Sequence, residues 1–319
     1  MNIGAYVLAH HQVRKSKKQK QAFKVFLENY AAEHGYPCKE ERGLFGVRNL
    51  VVGDPDSARV VYTAHYDTCP VLPFPNFITP KRIGWYLLYQ LLLTGVILAA
   101  MAVIGLLAGV VLTVLDELLG LGGVLKGVAV ATVFGVIYFG TLLLLLAGPA
   151  NRHTANDNTS GVVTLLEIMS KLPAEARSGV AFVFFDLEEA GMLGSLGFVQ
   201  HHKGVRSNTL LLNFDCVSDG DRILLALRRG AERDLPRLQR CFKSENGFQV
   251  ELLSKGVFYP SDQLMFNRGV GVAALKHSRL LKTDYMDRIH TNRDVIFQEK
   301  NMEFLANCAV QLACEMTQD

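Results

Sequence analysis

The sequence has no excess of either charge: 33 Lys and Arg oppose 30 Asp and Glu over 319 residues, for a formal net charge of +3. That balance excludes a nucleic-acid binder held by counterion release and an acidic disordered chain, so no nucleic-acid partner is expected. Its six cysteines (Cys38, Cys69, Cys216, Cys241, Cys308 and Cys314) contain no C-x-x-C pair. The apolar stretch Met1–Ala9 is too short for a secretory signal and is followed by His10, His11 and Arg14. Free thiols in a reducing compartment are the expectation. There is no G-x-G-x-x-G, no G-x-x-x-x-G-K-[ST], no H-E-x-x-H and no G-x-S-x-G, which argues against a nucleotide enzyme, a zincin and a serine hydrolase.

Apolar residues, by contrast, make up 50% of the chain, with a mean hydropathy of +0.19, high for a wholly soluble enzyme. The excess sits in two places. Ile83–Leu115 is uncharged over 33 positions and Gly127–Asn151 over 25, and each exceeds the roughly 20 residues that cross a bilayer core as a helix. Only Asp116, Glu117 and a connection with Gly120, Gly122, Gly123 and Lys126 separate them. Buried core helices rarely run so long without a polar face, so a transmembrane hairpin over 83–150 is expected, with the lipid bilayer as a partner. Trp85, Tyr86 and Tyr89 suit an interfacial belt, and Gly105 with Gly109 form a G-x-x-x-G spacing for close helix approach.

Without those 68 residues, the remaining 251 read as one α/β domain, 1–82 with 151–319. A helix is expected over Gln19–His34, closed by Gly35 and preceded by Arg14, Lys15, Lys17, Lys18 and Lys20, a basic run read as a solvated helix start that could also lean on anionic headgroups. Asn49–Val52 and Ala58–Ala64, separated by Gly53-Asp54-Pro55-Asp56, read as adjacent strands. Strands Val180–Phe185, Thr209–Phe214 and Val270–Leu275 alternate with helices Gly161–Leu172, Leu235–Phe242 and Asn301–Met316. The alternation predicts a largely parallel mixed sheet covered by helices.

Several strands end in acids or a histidine: His65-Tyr66-Asp67, Asp186-Leu187-Glu188-Glu189, and Asp215. Ligands of open α/β sheets bind beyond the strands' carboxyl ends. Asp157, in Asn156-Asp157-Asn158-Thr159-Ser160-Gly161, either caps a helix or joins that group, and His290 adds a second imidazole. Two imidazoles and three carboxylates suit a pair of zinc ions sharing one carboxylate. Of Glu188 and Glu189, one can bind metal while the other stays free as a base. Asp67 can accept the second ring N–H of His65. His153 reads as interfacial, His201 and His202 as surface residues, and Ser261-Asp262 as a helix start.

These blocks resemble the co-catalytic di-zinc exopeptidases of the bacterial leucyl aminopeptidase type, whose fold also occurs in glutamate carboxypeptidase and glutaminyl cyclase. The matching segments are Asn49–Asp54, Thr63–Thr68, Asn156–Val162, Phe184–Gly191 running to Gly194-Ser195, Asn213–Asp215, Ser261-Asp262 with Phe266, Gly269–Leu275, and His290-Thr291 with Asp294. They keep the family's order and cover nearly everything outside the hairpin, which soluble members replace by loops. The resemblance implies a zinc exopeptidase fold. It implies His65 and Asp215 as ligands of one zinc, Glu189 and His290 of the other, Asp157 bridging both, Glu188 as the general base, and Asp67 orienting His65. A tyrosine often precedes the family's last histidine; here Ile289 does, leaving Tyr259 or Tyr285 for the oxyanion.

The sequence therefore predicts a membrane-anchored metallopeptidase with two zinc ions and a peptide substrate, most simply an aminopeptidase. A single-zinc acyl-transfer enzyme of the glutaminyl cyclase kind and a non-enzymatic receptor on a decayed peptidase domain are the rivals, and a homo-oligomer is compatible with either. Lys81, Arg82 and Arg152 on the domain side outnumber Lys126 between the spans, which places the catalytic domain in the cytoplasm.

Overall fold

The computed structural model describes residues 2–120 and 124–318. Two compact units result: Met1–Arg82 with Ala150–Asp319, and Ile83–Pro149. Gly122 and Gly123 of the inter-helix connection lie outside the described residues.

In the first unit nine strands form one mixed sheet: β1 (Cys38–Arg42), β2 (Arg48–Val52), β3 (Val60–His65), β4 (Val180–Phe185), β5 (Leu210–Phe214), β6 (Arg222–Leu227), β7 (Gln249–Leu253), β8 (Gly269–Ser278) and β9 (Thr283–Tyr285). The order is β1-β2-β4-β3-β5-β8-β6-β7, with β9 on β8. The central strands β4, β3, β5 and β8 are mutually parallel, and β6 pairs β7 in parallel. Antiparallel ladders join β1–β2, β2–β4, β6–β8 and β8–β9.

The strands β2 and β3 are not neighbours, contrary to expectation. Phe184 of β4 pairs with Leu50 on one side and Ala64 on the other. The segment after Gly53 is too long for a tight hairpin and spans the ~10 Å over one intervening strand. Both faces of the central strands are buried, which explains their unbroken apolar runs. With period two, Val60, Tyr62, Ala64, Val180, Phe182 and Phe184 enter one core layer and Val61, Ala181, Val183 and Phe185 the other. Helices Ile3–His11, Lys17–Glu33, Gly161–Lys171 and Glu299–Thr317 supply the first layer, and Phe198, Val199 and Val205 of helices Leu193–His201 and Lys203–Asn208 the second.

The Lys17–Glu33 helix starts with a capping box between Ser16 and Gln19 and ends before Gly35, whose φ of +79° suits glycine. The basic run before it is not uniformly solvated. Arg14 is fully buried: its Nε donates to the Tyr66 carbonyl at 2.5 Å, and its Nη1 to the His11 carbonyl and to Thr159 Oγ1. Lys20 pairs with Asp186. His202 is buried too, with Nδ1 2.8 Å from Asp56 and Nε2 3.0 Å from Glu41. It is no surface histidine, because β1 and the β2–β3 connection fold over it.

The second unit consists of helices Ile83–Leu119 and Val124–Ala147. The former, 37 residues and largely exposed, is the one candidate membrane span among the described residues; Thr132–Ala147 of the latter is a shorter apolar stretch. At 1.5 Å per residue the first helix is about 55 Å long, more than a bilayer core. Thr113 and Thr141 hide their hydroxyls on the carbonyls of Gly109 and Ile137, four residues back. Only the first glycine of the G-x-x-x-G serves packing: a Cβ on Gly105 would meet the Phe134 ring at 2.6 Å, while one on Gly109 meets nothing.

Candidate metal centre

The parallel strands deliver their carboxyl ends to one place. His65 ends β3, Asp186–Glu189 follow β4, Asp215 follows β5, and Asp157 lies in the turn before the Gly161–Lys171 helix. His290 arrives in the loop after β9. His65 Nε2 lies 3.2 Å from Asp157 Oδ1 and 3.4 Å from Asp215 Oδ1. His290 Nε2 lies 3.0 Å from Asp157 Oδ2 and 3.2 Å from Glu189 Oε2. Asp157 thus turns one oxygen to each imidazole. An imidazole nitrogen has one hydrogen or one lone pair, so it cannot bond two carboxylates equally; a cation among them can.

Three donor groups meet the spacing of metal ligands: His65, Asp157 and Asp215; Cys69, Asp157, Glu189 and His290; and His65, Glu188 and Glu189. Within each, the donor atoms lie within 4.8 Å of one another. Glu189 Oε1 is buried with no hydrogen-bond partner, an orphan that a cation would satisfy. Six of the seven sequence-predicted site residues fall in these groups, and Cys69, expected only as a free thiol, joins them; the seventh, Asp67, stands beside His65.

Surrounding hydrogen bonds hold the acids in place. The Asp67 carboxylate accepts from the Glu188 amide at 3.0 Å and the Glu189 amide at 3.3 Å. His65 Nδ1 lies nearer the Asp67 carbonyl, at 3.1 Å, than its carboxylate, at 3.6 Å. Asp67 therefore fixes the imidazole mainly through its backbone. Asp294, which carried no role in the sequence, accepts from the amides of Asn156 and Asp157. The flanking asparagines tie the turn to the end of β5: Asn156 Oδ1 accepts from Ser218, and Asn158 donates to the Phe214 carbonyl. Gly161 must be glycine because a Cβ there would meet that carbonyl at 2.1 Å, and at Gly194 a Cβ would meet the Asp186 carbonyl at 2.2 Å. Leu187 before Glu188, Cys216 after Asp215, and His290 itself have positive φ of 55°, 57° and 62°. Such conformations cost on the order of 1–3 kcal/mol each and persist where surroundings enforce them.

The electrostatics follow from crowding acids around two rings. Burial opposes charge on His65, yet Glu188, Asp157, Asp215 and Asp67 hold its pKa well above the usual imidazole range. Burial likewise opposes charge on His290, and Glu189 and Asp157 reverse the effect. Burial raises Asp157 less than His290 and His65 lower it, so it stays below the carboxylate range. Burial lifts Glu188 well above that range, with Asp262, Asp215 and Glu189 adding and His65 opposing. Asp262 itself is pushed up to about 7, mainly by burial. Of the tyrosines expected to reach the site, Tyr259 donates its hydroxyl to the Asp215 carbonyl at 3.0 Å, and Tyr285 stands against Phe77. Ile289 is buried.

This fold, with its acid–imidazole cluster beyond the strand ends, defines a zinc metallopeptidase. The chain belongs to peptidase family M28, whose sequence profile matches residues 140–313. Solved structures share the fold. The Legionella pneumophila LapA aminopeptidase is 15% identical over 99% of this chain and 68% of its own, with a TM-score of 0.55. A Porphyromonas gingivalis glutaminyl cyclase is 13% identical over 98% and 95%, at 0.57. A Zn-dependent exopeptidase from Parabacteroides distasonis is 14% identical over 97% and 94%, at 0.59. No curated protein matches the sequence.

Proposed function

We propose that the chain is a membrane-anchored di-zinc exopeptidase, an aminopeptidase that hydrolyses N-terminal peptide bonds. The observation that carries this reading is Asp157, whose two oxygens face His65 and His290 separately. In this assignment His65 and Asp215 would hold one zinc ion, Glu189 and His290 the other, and Asp157 would serve both. The nitrogen and oxygen donors fit zinc, and a bound cation would satisfy the unpartnered Glu189 oxygen.

Bound zinc polarises the scissile carbonyl and lowers the pKa of water at the site. Glu188 is the general base: the Asp67–amide bonds fix its backbone, and its carboxylate accepts a proton from the attacking water and passes it to the departing amine. Asp67 holds the His65 ring so that Nε2 faces the acids. Neither Tyr259 nor Tyr285 is assigned to the oxyanion, since the first hydroxyl is engaged with Asp215. Residues 1–82 and 151–319 form the peptidase domain, and 83–150 a transmembrane hairpin with the domain in the cytoplasm.

Peptides with free and blocked amino termini distinguish the readings. Release of the first residue from free peptides only is expected. Cyclisation of N-terminal glutamine without hydrolysis would establish the acyl-transfer alternative instead.

A further inference from the structure

The cluster around His290 contains a donor that the proposed ligand set leaves unused. Cys69 lies four residues after His65, beyond the end of β3, and is fully buried. Its sulfur sits with donor atoms of Asp157, Glu189 and His290, all within 4.8 Å of one another. Glu189, whose side chain is 9% exposed, belongs to the same group through the carboxylate that faces His290, and its other oxygen, Oε1, is buried with no hydrogen-bond partner, an acceptor that a cation at the carboxylate would satisfy.

The thiol is positioned by the fold. Asn151 donates its backbone N–H to the Cys69 carbonyl at 3.1 Å. Its side-chain Nδ2 approaches the sulfur at 3.9 Å while also donating to the Thr291 carbonyl at 3.0 Å, one residue from His290. An N–H aimed at a ligating sulfur is a common outer-shell support for a metal ligand. The loop after Cys69 is pinned to the same imidazole's backbone, because the Leu72 amide donates to the His290 carbonyl at 2.8 Å.

We propose that Cys69 is a thiolate ligand of the second zinc ion, an inference that rests on the two-zinc reading above. The two sites then differ in kind. Asp157, Glu189, His290 and Cys69 supply four protein donors, which close a tetrahedral ion. His65, Asp157 and Asp215 supply three, one fewer than a closed tetrahedral set. With that set, the three-donor group would keep the place for water, and the four-donor group would hold Asp157 and the His290 loop. A soft sulfur also favours zinc over magnesium or manganese at the second site.

X-ray absorption at the zinc edge of the zinc-saturated full-length protein tests this without reference to activity. A zinc–sulfur distance of about 2.3 Å at one of the two ions is expected, an average of half a sulfur per zinc. It should vanish in Cys69→Ser and survive in Cys216→Ser, the other cysteine beside the site, whose thiol donates to Asp215 at 3.2 Å. Chelator competition on Cys69→Ser should show the second ion held at least about 10-fold more weakly, since even outer-shell losses cost that much. Two zinc ions without a sulfur overturn the assignment and leave the two-zinc reading intact. A single bound zinc overturns that reading; the wild-type spectrum then retains Cys69 as a ligand if the sulfur is present and removes it if absent.

Discussion

Glu188 and Glu189 are neighbours in the chain with different surroundings. Glu189 Oε2 lies 3.2 Å from His290, whereas Glu188 has its amide held by the Asp67 carboxylate at 3.0 Å and its own carboxylate assigned above to proton transfer. Glu188→Gln should therefore leave zinc content unchanged and lower turnover by a factor on the order of 10² to 10⁴, the usual contribution of a general base. Metal analysis beside single-turnover rates checks this, and loss of zinc would show that the roles of the two glutamates are exchanged. The site acids were readable in the sequence because each follows a strand or opens a helix. Cys69 was not, since a lone thiol in an apolar neighbourhood reads as core. Arg14 was hidden in a basic run, although it alone among those cations is fully buried.

At the scale of elements, the strands buried on both faces were legible as apolar runs. The edges were not: β1, Cys-Lys-Glu-Glu-Arg, and β7, Gln-Val-Glu-Leu-Leu, carry the charges typical of strands at a sheet margin. Nor could a sequence show that β4 inserts between β2 and β3, because both separations consist of similar apolar pairs. The edge strand β1 is clipped down by His202, which bridges Glu41 and Asp56. Hydrogen bonding to Glu41 is the largest influence on its pKa, and with Asp56 it outweighs burial and raises the value. A raised folded-state pKa contributes stability that is complete below the unfolded value of about 6.5 and lost as pH rises through the folded one. His202→Gln should thus be destabilised relative to the parent at pH 6, with the gap narrowing by pH 9. Urea denaturation at both pH values measures it, and an equal gap at the two would remove His202 as the cause.

For the whole molecule, the apolar excess was the plainest signal in the sequence, and the Ile83–Leu119 helix answers to it. Orientation rests on fewer charges than the sequence suggested. Lys81 is engaged with Asp284 at 2.6 Å and Glu251 at 2.8 Å, leaving Arg82 and Arg152 as the exposed basic flanks. The domain in the cytoplasm predicts that Leu118→Cys reacts with a membrane-impermeant thiol reagent on intact cells, while the half-buried native Cys38 and Cys314 react only after permeabilisation. The reverse pattern would invert the topology.

Asp157 is proposed to join two metal ions in one centre. Elemental analysis of the zinc-saturated, catalytically active chain measures this, and two zinc ions per chain are expected, since one open tetrahedral ion cannot use His65, Asp157, Glu189, Asp215 and His290 together. One zinc per chain with peptidase activity intact would contradict it.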